Sequence, residues 1–311
     1  RTSRRRSRGG TSRLASPSDH RPSVAVTTAR RSKIFHGCRK DTIDLNRIQS
    51  WVRLFSAYRH AVGERAIQDW LQQFAAEEQG IAGRVLDCVE FFSQNQIDDA
   101  FRVVLSHLNG WNSDATKRRG QWRFVAYSSS AGESGDSMLH KFRNANNLAG
   151  SRHNHLFIHR SDIMRQRLGR EDTVVLIDDF VGTGEQACDS WTKAYFGELL
   201  AEVGQVYLVV VAACKQGVQR LAEKTEIEVI SHVLLDDAED VFSDSCAHFT
   251  SSEKQTLLSY CTKANPRLPR GRGACGLLIV FAHTCPNNSI PVLHARNRRW
   301  KGLFPRYNRQ E

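Results

Sequence analysis

Trp51, Leu54, Phe55 and Tyr58 recur at the i, i+3, i+4, i+7 spacing of a helix with one apolar face, and Ile67, Trp70, Leu71 and Phe74 repeat it. Two further stripes follow, Val85, Cys88, Val89 and Phe92, then Phe101, Val104, Leu105 and Leu108, before the stop signals Asn109, Gly110 and Asn112. The spacing predicts four helices over residues 45–110 whose stripes form core. From residue 121 the period changes. Strands are expected at Trp122–Tyr127, His155–Ile158, Val174–Ile177, Val206–Ala213 and Ile227–Leu235, alternating with helices at Ser137–Leu148, Glu185–Glu202 and Gln216–Glu223. That alternation is the βαβ rhythm of a parallel sheet. Thr250 and Glu253 suit a capping box on a helix that ends before Pro266, and a last hairpin is expected from Cys275 to Leu293 with Pro286, Asn287 and Asn288 in its turn.

The richest chemistry lies at the middle strand. Val174, Val175, Leu176 and Ile177 form a continuous apolar run, as a strand covered on both faces requires, and Asp178 and Asp179 fall at its carboxyl end, where open α/β sheets bind ligands. Gly182 and Gly184 flank Thr183 just before a helix start, so the loop amides can converge on an anion. A sugar phosphate fits this order: hydroxyls on the carboxylates, phosphate on the amides. The plainer alternative is a strand with an acidic end and a capped helix.

The segment T-V-V-L-I-D-D-F-V-G-T-G-E-Q resembles the phosphoribosyl diphosphate (PRPP) motif of type I phosphoribosyltransferases. The resemblance implies that Asp178 and Asp179 hold the ribose 2′ and 3′ hydroxyls, touching any metal only through the ligand, and that Gly182, Thr183, Gly184, Glu185 and Gln186 wrap the 5′-phosphate. Glu185 and Gln186 stand where that family carries small or hydroxyl residues. After the first strand, S-S-S-A-G-E-S-G-D-S occupies the place of the family's pyrophosphate loop, with Ser129, Ser130, Gly132, Ser134 and Gly135 as candidate contacts, Lys141 on the next helix and Mg²⁺ as the expected cofactor. A flexible connection is the alternative there. Residues 159–172 hold the position of a mobile lid, on which Arg165 would neutralise the leaving diphosphate; a solvated surface helix accounts for the same composition. With the helical region and the ending H-T-C-P-N-N-S-I-P, the chain also resembles bacterial phosphoribosyltransferase-like proteins regarded as effectors of conflict and phage-defence loci, over roughly residues 45–306. His283, Asn287 and Asn288 are candidates for a base pocket, though a strand histidine and a turn Asn-Asn also serve structure.

Composition changes this picture little. At 311 residues and 40% hydrophobic the chain can bury a large core, and no apolar run approaches membrane-spanning length. Residues 1–40 carry twelve Lys or Arg and one acid, whereas residues 41–311 carry 32 of each sign, so the net charge of +11 resides in a basic tail. That tail is poor in apolar residues and is expected to be disordered; any contact with nucleic acid is expected through it alone. A targeting peptide, or a start placed too far upstream, are alternatives. Eight cysteines without a C-x-x-C pair argue against zinc and for free thiols in a reducing cytoplasm.

The expected division is a tail over 1–40, a helical cap over 41–115 and an α/β domain over 116–311. The expected fold is a phosphoribosyltransferase-like parallel sheet flanked by helices, with an N-terminal helical cap and a C-terminal β-hairpin. The expected function is binding of PRPP or a related ribosyl phosphate or nucleotide, with transfer of the ribosyl phosphate to an acceptor the sequence does not identify, and with a protein partner encoded alongside as a possibility of the defence setting. Two rivals stand beside it. A non-catalytic nucleotide sensor is favoured by Glu185 and by the lack of a cation within the Ser-rich loop; a nucleotide N-glycohydrolase would use the same site with water as acceptor.

Overall fold

The computed structural model describes residues 42–127 and 134–306. Helix α1 (Leu45–Phe55) starts at Asp44, whose carboxylate accepts from the Arg47 amide at 2.8 Å, and it buries Ile48, Trp51 and Phe55. Helices α2 (Glu64–Leu71) and α3 (Gln79–Cys88) turn Ile67, Trp70 and Leu71, then Ala82, Val85 and Leu86, inward. The third stripe does not continue as helix: α3 stops at Cys88 and Glu90–Phe92 forms strand β1. Helix α4 (Gln94–Ser106) follows, opened by a complete Ser93/Gln96 capping box.

The central sheet is parallel. Strand β2 (Trp122–Ala126) leads into α5 (Ser134–Ala145), and β3 (Thr173–Ile177) is followed after two residues by the short β4 (Phe180–Val181). Helices α6 (Glu185–Lys193) and α7 (Phe196–Leu200), strand β5 (Gln205–Cys214), helix α8 (Lys215–Lys224) and strand β6 (Glu228–Leu235) complete the alternation. Strand β3 sits between β2 and β5; β4 carries its line onward along β5, and β6 lies on the far side of β5. The apolar run of β3 is explained by this central position. Val175 and Ile177 enter one core with Tyr207 and Val209, while Val174 and Leu176 enter the opposite core with Val206 and Leu208.

Three expected elements differ. His155–Ile158 is not a strand; residues 151–156 form a 3₁₀ turn, and only Phe157 bridges β2, at Phe124. The helix expected over Glu185–Glu202 breaks at Tyr195, whose φ is 58°, and the break lets Phe196 turn inward to stack on Trp191. No hairpin spans Cys275–Leu293. Strand β7 (Ile279–Phe281) instead pairs in parallel with β1, Glu90 opposite Ile279 and Phe92 opposite Phe281. The C-terminal hairpin lies further on, between β8 (Arg296–Asn297) and β9 (Trp300–Lys301).

After β6 come α9 (Ser251–Ala264), with the expected Thr250/Glu253 capping box, and the one-turn α10 (Pro291–His294). These C-terminal elements share a single core with α1–α3: Trp51, Phe55 and Trp70 pack with Leu257, Val292, Trp300 and Phe304. The Trp70 and Trp300 indoles both donate to the Val292 carbonyl, at 2.8 and 2.9 Å. The cap is thus made from both ends of the described chain. By clamping β7 against β1 it fixes the residues that follow β7 over the edge of the sheet. No described helix is long and apolar enough to cross a membrane.

Candidate functional site

The strand line from β3 to β4 stays bonded to β5 through its two acids. The Asp178 amide donates to the Val209 carbonyl at 3.1 Å, and the Asp179 carbonyl accepts from the amides of Val211 and Ala212 at 3.0 and 3.4 Å. The ladder is interrupted here while its register is kept, with Ile177 opposite Val209 and Phe180 opposite Ala212. Asp178 is half-buried and accepts at Oδ1 from the Asp179 amide at 2.9 Å. Asp179 is buried, and its Oδ2 lies 2.7 Å from His283 Nε2. Burial alone would raise the Asp179 carboxyl; the hydrogen bond and charge of His283, with a further hydrogen bond involving Asp178, hold it below the ordinary carboxylate range. His283 reaches this position because it lies two residues beyond β7, which the cap pins to β1.

Glycine is required in the loop for steric reasons. Gly184, at φ 76°, is the N-cap of α6, and a Cβ there would lie 2.8 Å from the Gly217 carbonyl oxygen. A Cβ on Gly182 would lie 2.5 Å from the Asn288 side-chain amide. The loop is therefore wedged between the start of α8 and the segment 286–288, with Thr183 buried between its glycines. Glu185, first residue of α6, points away from the loop: its carboxylate is 3.1 Å from Arg220 and 3.7 Å from Arg272. The two guanidiniums offset in part the repulsion that Glu185 would exert on an anion at the loop.

These groups open on a cleft of about 850 Å³. Asp178, Asp179, Gly182, Thr183, Gly184 and Gln186 line it as the sequence suggested, joined by His283, Asn287 and Asn288. Tyr127 closes one side; its hydroxyl donates to the Ala187 carbonyl at 2.6 Å, and burial pushes its pKa up, so it stays a neutral phenol. Three arginines, Arg59, Arg272 and Arg306, border the same space. The sequence held no signal for these, because each comes from a different part of the chain and is brought in by the cap and the C-terminal segment.

Other candidates lie elsewhere. Lys141 contacts Gln94 on α4 and is not part of the cleft wall; partial burial lowers its pKa. Arg165 is exposed on a 3₁₀ turn over residues 160–166 and pairs with Asp162 at 3.3 Å, outside the cleft wall. Gly135 packs the start of α5 on the end of β2, where a Cβ would lie 2.9 Å from the Tyr127 carbonyl oxygen. Ser134 opens α5, while Ser129, Ser130 and Gly132 lie outside the described residues. Ser137 is the member of that segment that lines the cleft. Among the described residues no group of three or more His, Cys, Asp or Glu side chains is arranged to hold a metal by itself.

A parallel sheet whose middle strand ends in two acids, followed by a Thr-Gly loop at a helix N-terminus, defines a phosphoribosyltransferase-like protein. The profile of the PRTase-CE family matches residues 67–306, and the chain belongs to that family. No curated protein matches the sequence. Among solved structures, the chain is similar to the AQ2163 protein from Aquifex aeolicus at 13% identity and a TM-score of 0.29, over 56% of this chain and 83% of that one. It is also similar to TT1426 from Thermus thermophilus at 21% identity and a TM-score of 0.18, over 40% of this chain and 57% of that one. At these scores neither likeness bears on fold or function.

Proposed function

We propose that the cleft binds PRPP or a closely related ribosyl phosphate and transfers its ribosyl phosphate to an acceptor. The observation that carries this reading is the loop Gly182–Gly184, which presents a helix N-terminus to the same space as Asp178 while Arg220 and Arg272 draw Glu185 aside. The 5′-phosphate would take the loop amides and the α6 N-terminus. Asp178, open to the cleft, would accept from ribose hydroxyls, and its charge would stabilise the cation that develops as the C1–O bond to diphosphate breaks. Diphosphate leaves with that bond's electron pair; the acceptor forms the new bond to C1 and gives up its proton. Asp179, tied to His283, would brace the strand end that carries Asp178 and accept from the sugar only with its remaining oxygen.

The donor set fits Mg²⁺ only as an ion carried on the ligand, since one open carboxylate beside a diphosphate is the arrangement magnesium uses when most of its ligands are water and phosphate. Asp178 would hold it, directly or through water, and the ion would supply charge neutralisation of the leaving group. Arg59, Arg272 and Arg306 would share that task. The likeness of the chain's ending to effectors of phage-defence loci supports placing this activity in defence.

Isothermal calorimetry of PRPP with and without Mg²⁺, together with release of diphosphate in the presence of candidate nucleophiles, tests the reading. Metal-dependent binding with diphosphate release is expected. Binding without release in any mixture would favour a sensor, and release of free base from a nucleotide would favour a glycohydrolase.

A further inference from the structure

The even charge balance of residues 41–311 hides a sharp division. Residues 41–253 carry 21 Lys or Arg against 31 Asp or Glu, whereas residues 254–310 carry eleven Lys or Arg and no acid at all. Part of that excess is used within the fold. Arg270 pairs with Asp240 at 2.6 Å, Arg272 faces Glu185, and Lys254 donates to the carbonyls of Ser243 and Cys246. Six others, Lys263, Arg267, Arg296, Arg298, Arg299 and Lys301, are exposed, and none has a carboxylate within ion-pair distance among the described residues.

These six are neighbours in space. Arg296 stands opposite Lys301 in the β8–β9 hairpin, and Arg298 and Arg299 form its turn. Asn297 donates to the Ala264 carbonyl at 2.8 Å, tying the hairpin to the end of α9, and the Lys263 ammonium lies 5.9 Å from the Trp300 ring. Between the end of α9 and the hairpin is a second cleft of about 790 Å³ whose wall includes Arg267, Arg296 and Arg306 and, among the described residues, no Asp or Glu. His294 also borders it, but burial pushes that imidazole down to about 4, so at neutral pH it adds no charge. Asn287 and Arg306 line both this cleft and the one at Asp178, so the two adjoin.

We propose that this second cleft and the hairpin beside it bind a single-stranded nucleic acid through its phosphates. A small anion would be satisfied by the arginines of the cleft and would leave Arg298, Arg299 and Lys301 of the hairpin without a role; a chain of phosphates engages both. A membrane surface fits poorly, because Arg267 and Arg296 line a concavity and Leu268 is the only described exposed large apolar side chain bordering it. A cleft of this volume admits one or two nucleotides and not a duplex. Trp300, the aromatic of the hairpin, is fully buried, so bases find no stacking platform there and binding should depend on backbone charge with little sequence preference.

The test is fluorescence anisotropy of labelled oligothymidylate and oligouridylate with the full chain, across a salt series. Two variants are compared with wild type: R296Q/R298Q/R299Q/K301Q in the hairpin, and R4Q/R5Q/R6Q/R8Q in the basic tail. Each lost phosphate contact lowers the slope of log K against log salt by about 0.7, so the hairpin variant should lose about 2–3 units of slope and at least about 30-fold in affinity at low salt. Its melting temperature should be unchanged, because the altered side chains are exposed. Should that variant fail to fold, the single substitution Arg267→Glu in the cleft wall must weaken binding by itself. The proposal is overturned if single strands do not bind, if only the tail variant loses affinity, or if duplex DNA, polyglutamate or phosphatidylserine vesicles bind as tightly as the single strand.

Discussion

His283→Ala removes the partner of a buried carboxylate, and its cost can be worked from the geometry. Asp179 keeps only 10% of its side-chain surface, and the Nε2–Oδ2 distance of 2.7 Å marks a charge-assisted hydrogen bond. Breaking a fully buried pair costs about 3–5 kcal/mol. His283 retains 24% exposure, which lets water reach the abandoned carboxylate, so about 2 kcal/mol is the expected loss at pH 7. For a chain of this size that lowers the melting temperature by roughly 5 °C. Loss of the ring's contact with Phe281 adds to the raw value, so the decisive measurement is a double-mutant cycle with Asp179→Ala in urea melts, where a coupling of about 1.5–2 kcal/mol is expected. The pH dependence has a definite sign. The folded Asp179 carboxyl is held below its unfolded value, so the pair's contribution is complete above about pH 4 and is lost as pH falls through the folded pKa. The stability gap between wild type and His283→Ala should therefore narrow in acid. Additivity of the two single substitutions within about 0.5 kcal/mol at pH 7 would refute the reasoning.

Three further outcomes are expected. Gly184→Val places a β-branched side chain at φ 76° and drives its Cβ toward the Gly217 carbonyl; calorimetry should show loss of ribosyl-phosphate binding, with stability reduced by about 1–3 kcal/mol. Asp178→Asn should lower turnover by about two orders of magnitude while ligand affinity falls much less, which steady-state kinetics set against calorimetry would reveal. His294, buried neutral with its pKa pushed down to about 4, binds fewer protons folded than unfolded between that pH and about 6.5, so acid destabilises the fold by up to about 3 kcal/mol across this window. Urea midpoints of His294→Gln, which cannot titrate, should show a shallower fall over the same range.

Much of the sheet was legible because its cause is local. A strand buried on both faces must be apolar at every position, and β3 and β5 announce themselves that way; Ser93 and Thr250 cap helices with chemistry confined to four residues. The acids and glycines of the loop were legible for the same reason, since Gly182 and Gly184 answer to steric limits within a short segment. What escaped were decisions taken between distant segments. Val89–Phe92 carries a helical stripe and pairs as a strand because β7, almost two hundred residues away, offers it an edge. Arg165 and Lys141 had suitable charge and sequence position, but their direction is set by Asp162 and Gln94. Arg59, Arg272 and Arg306 reach the cleft only because the two ends of the described chain build one cap.

On the proposed reading, the pairing of Asp179 with His283 also divides the roles within the acidic pair. Sequence resemblance treats two adjacent carboxylates as equivalent ligands of a sugar, yet adjacent positions in extended chain face opposite ways. Here Asp179 is engaged through its carbonyl by β5 and through Oδ2 by a residue that the cap delivers. Asp178 is half-exposed in the cleft and, on the proposed reading, is the group that meets the ligand. Stability and chemistry at this site are therefore separable by substitution. A change at Asp179 or His283 acts first on the fold around the strand end, whereas a change at Asp178 acts first on whatever occupies the cleft. Because His283 is held by the β1–β7 pair, a shift of the cap against the sheet would change the charge beside Asp178, the residue that the proposed transfer relies on.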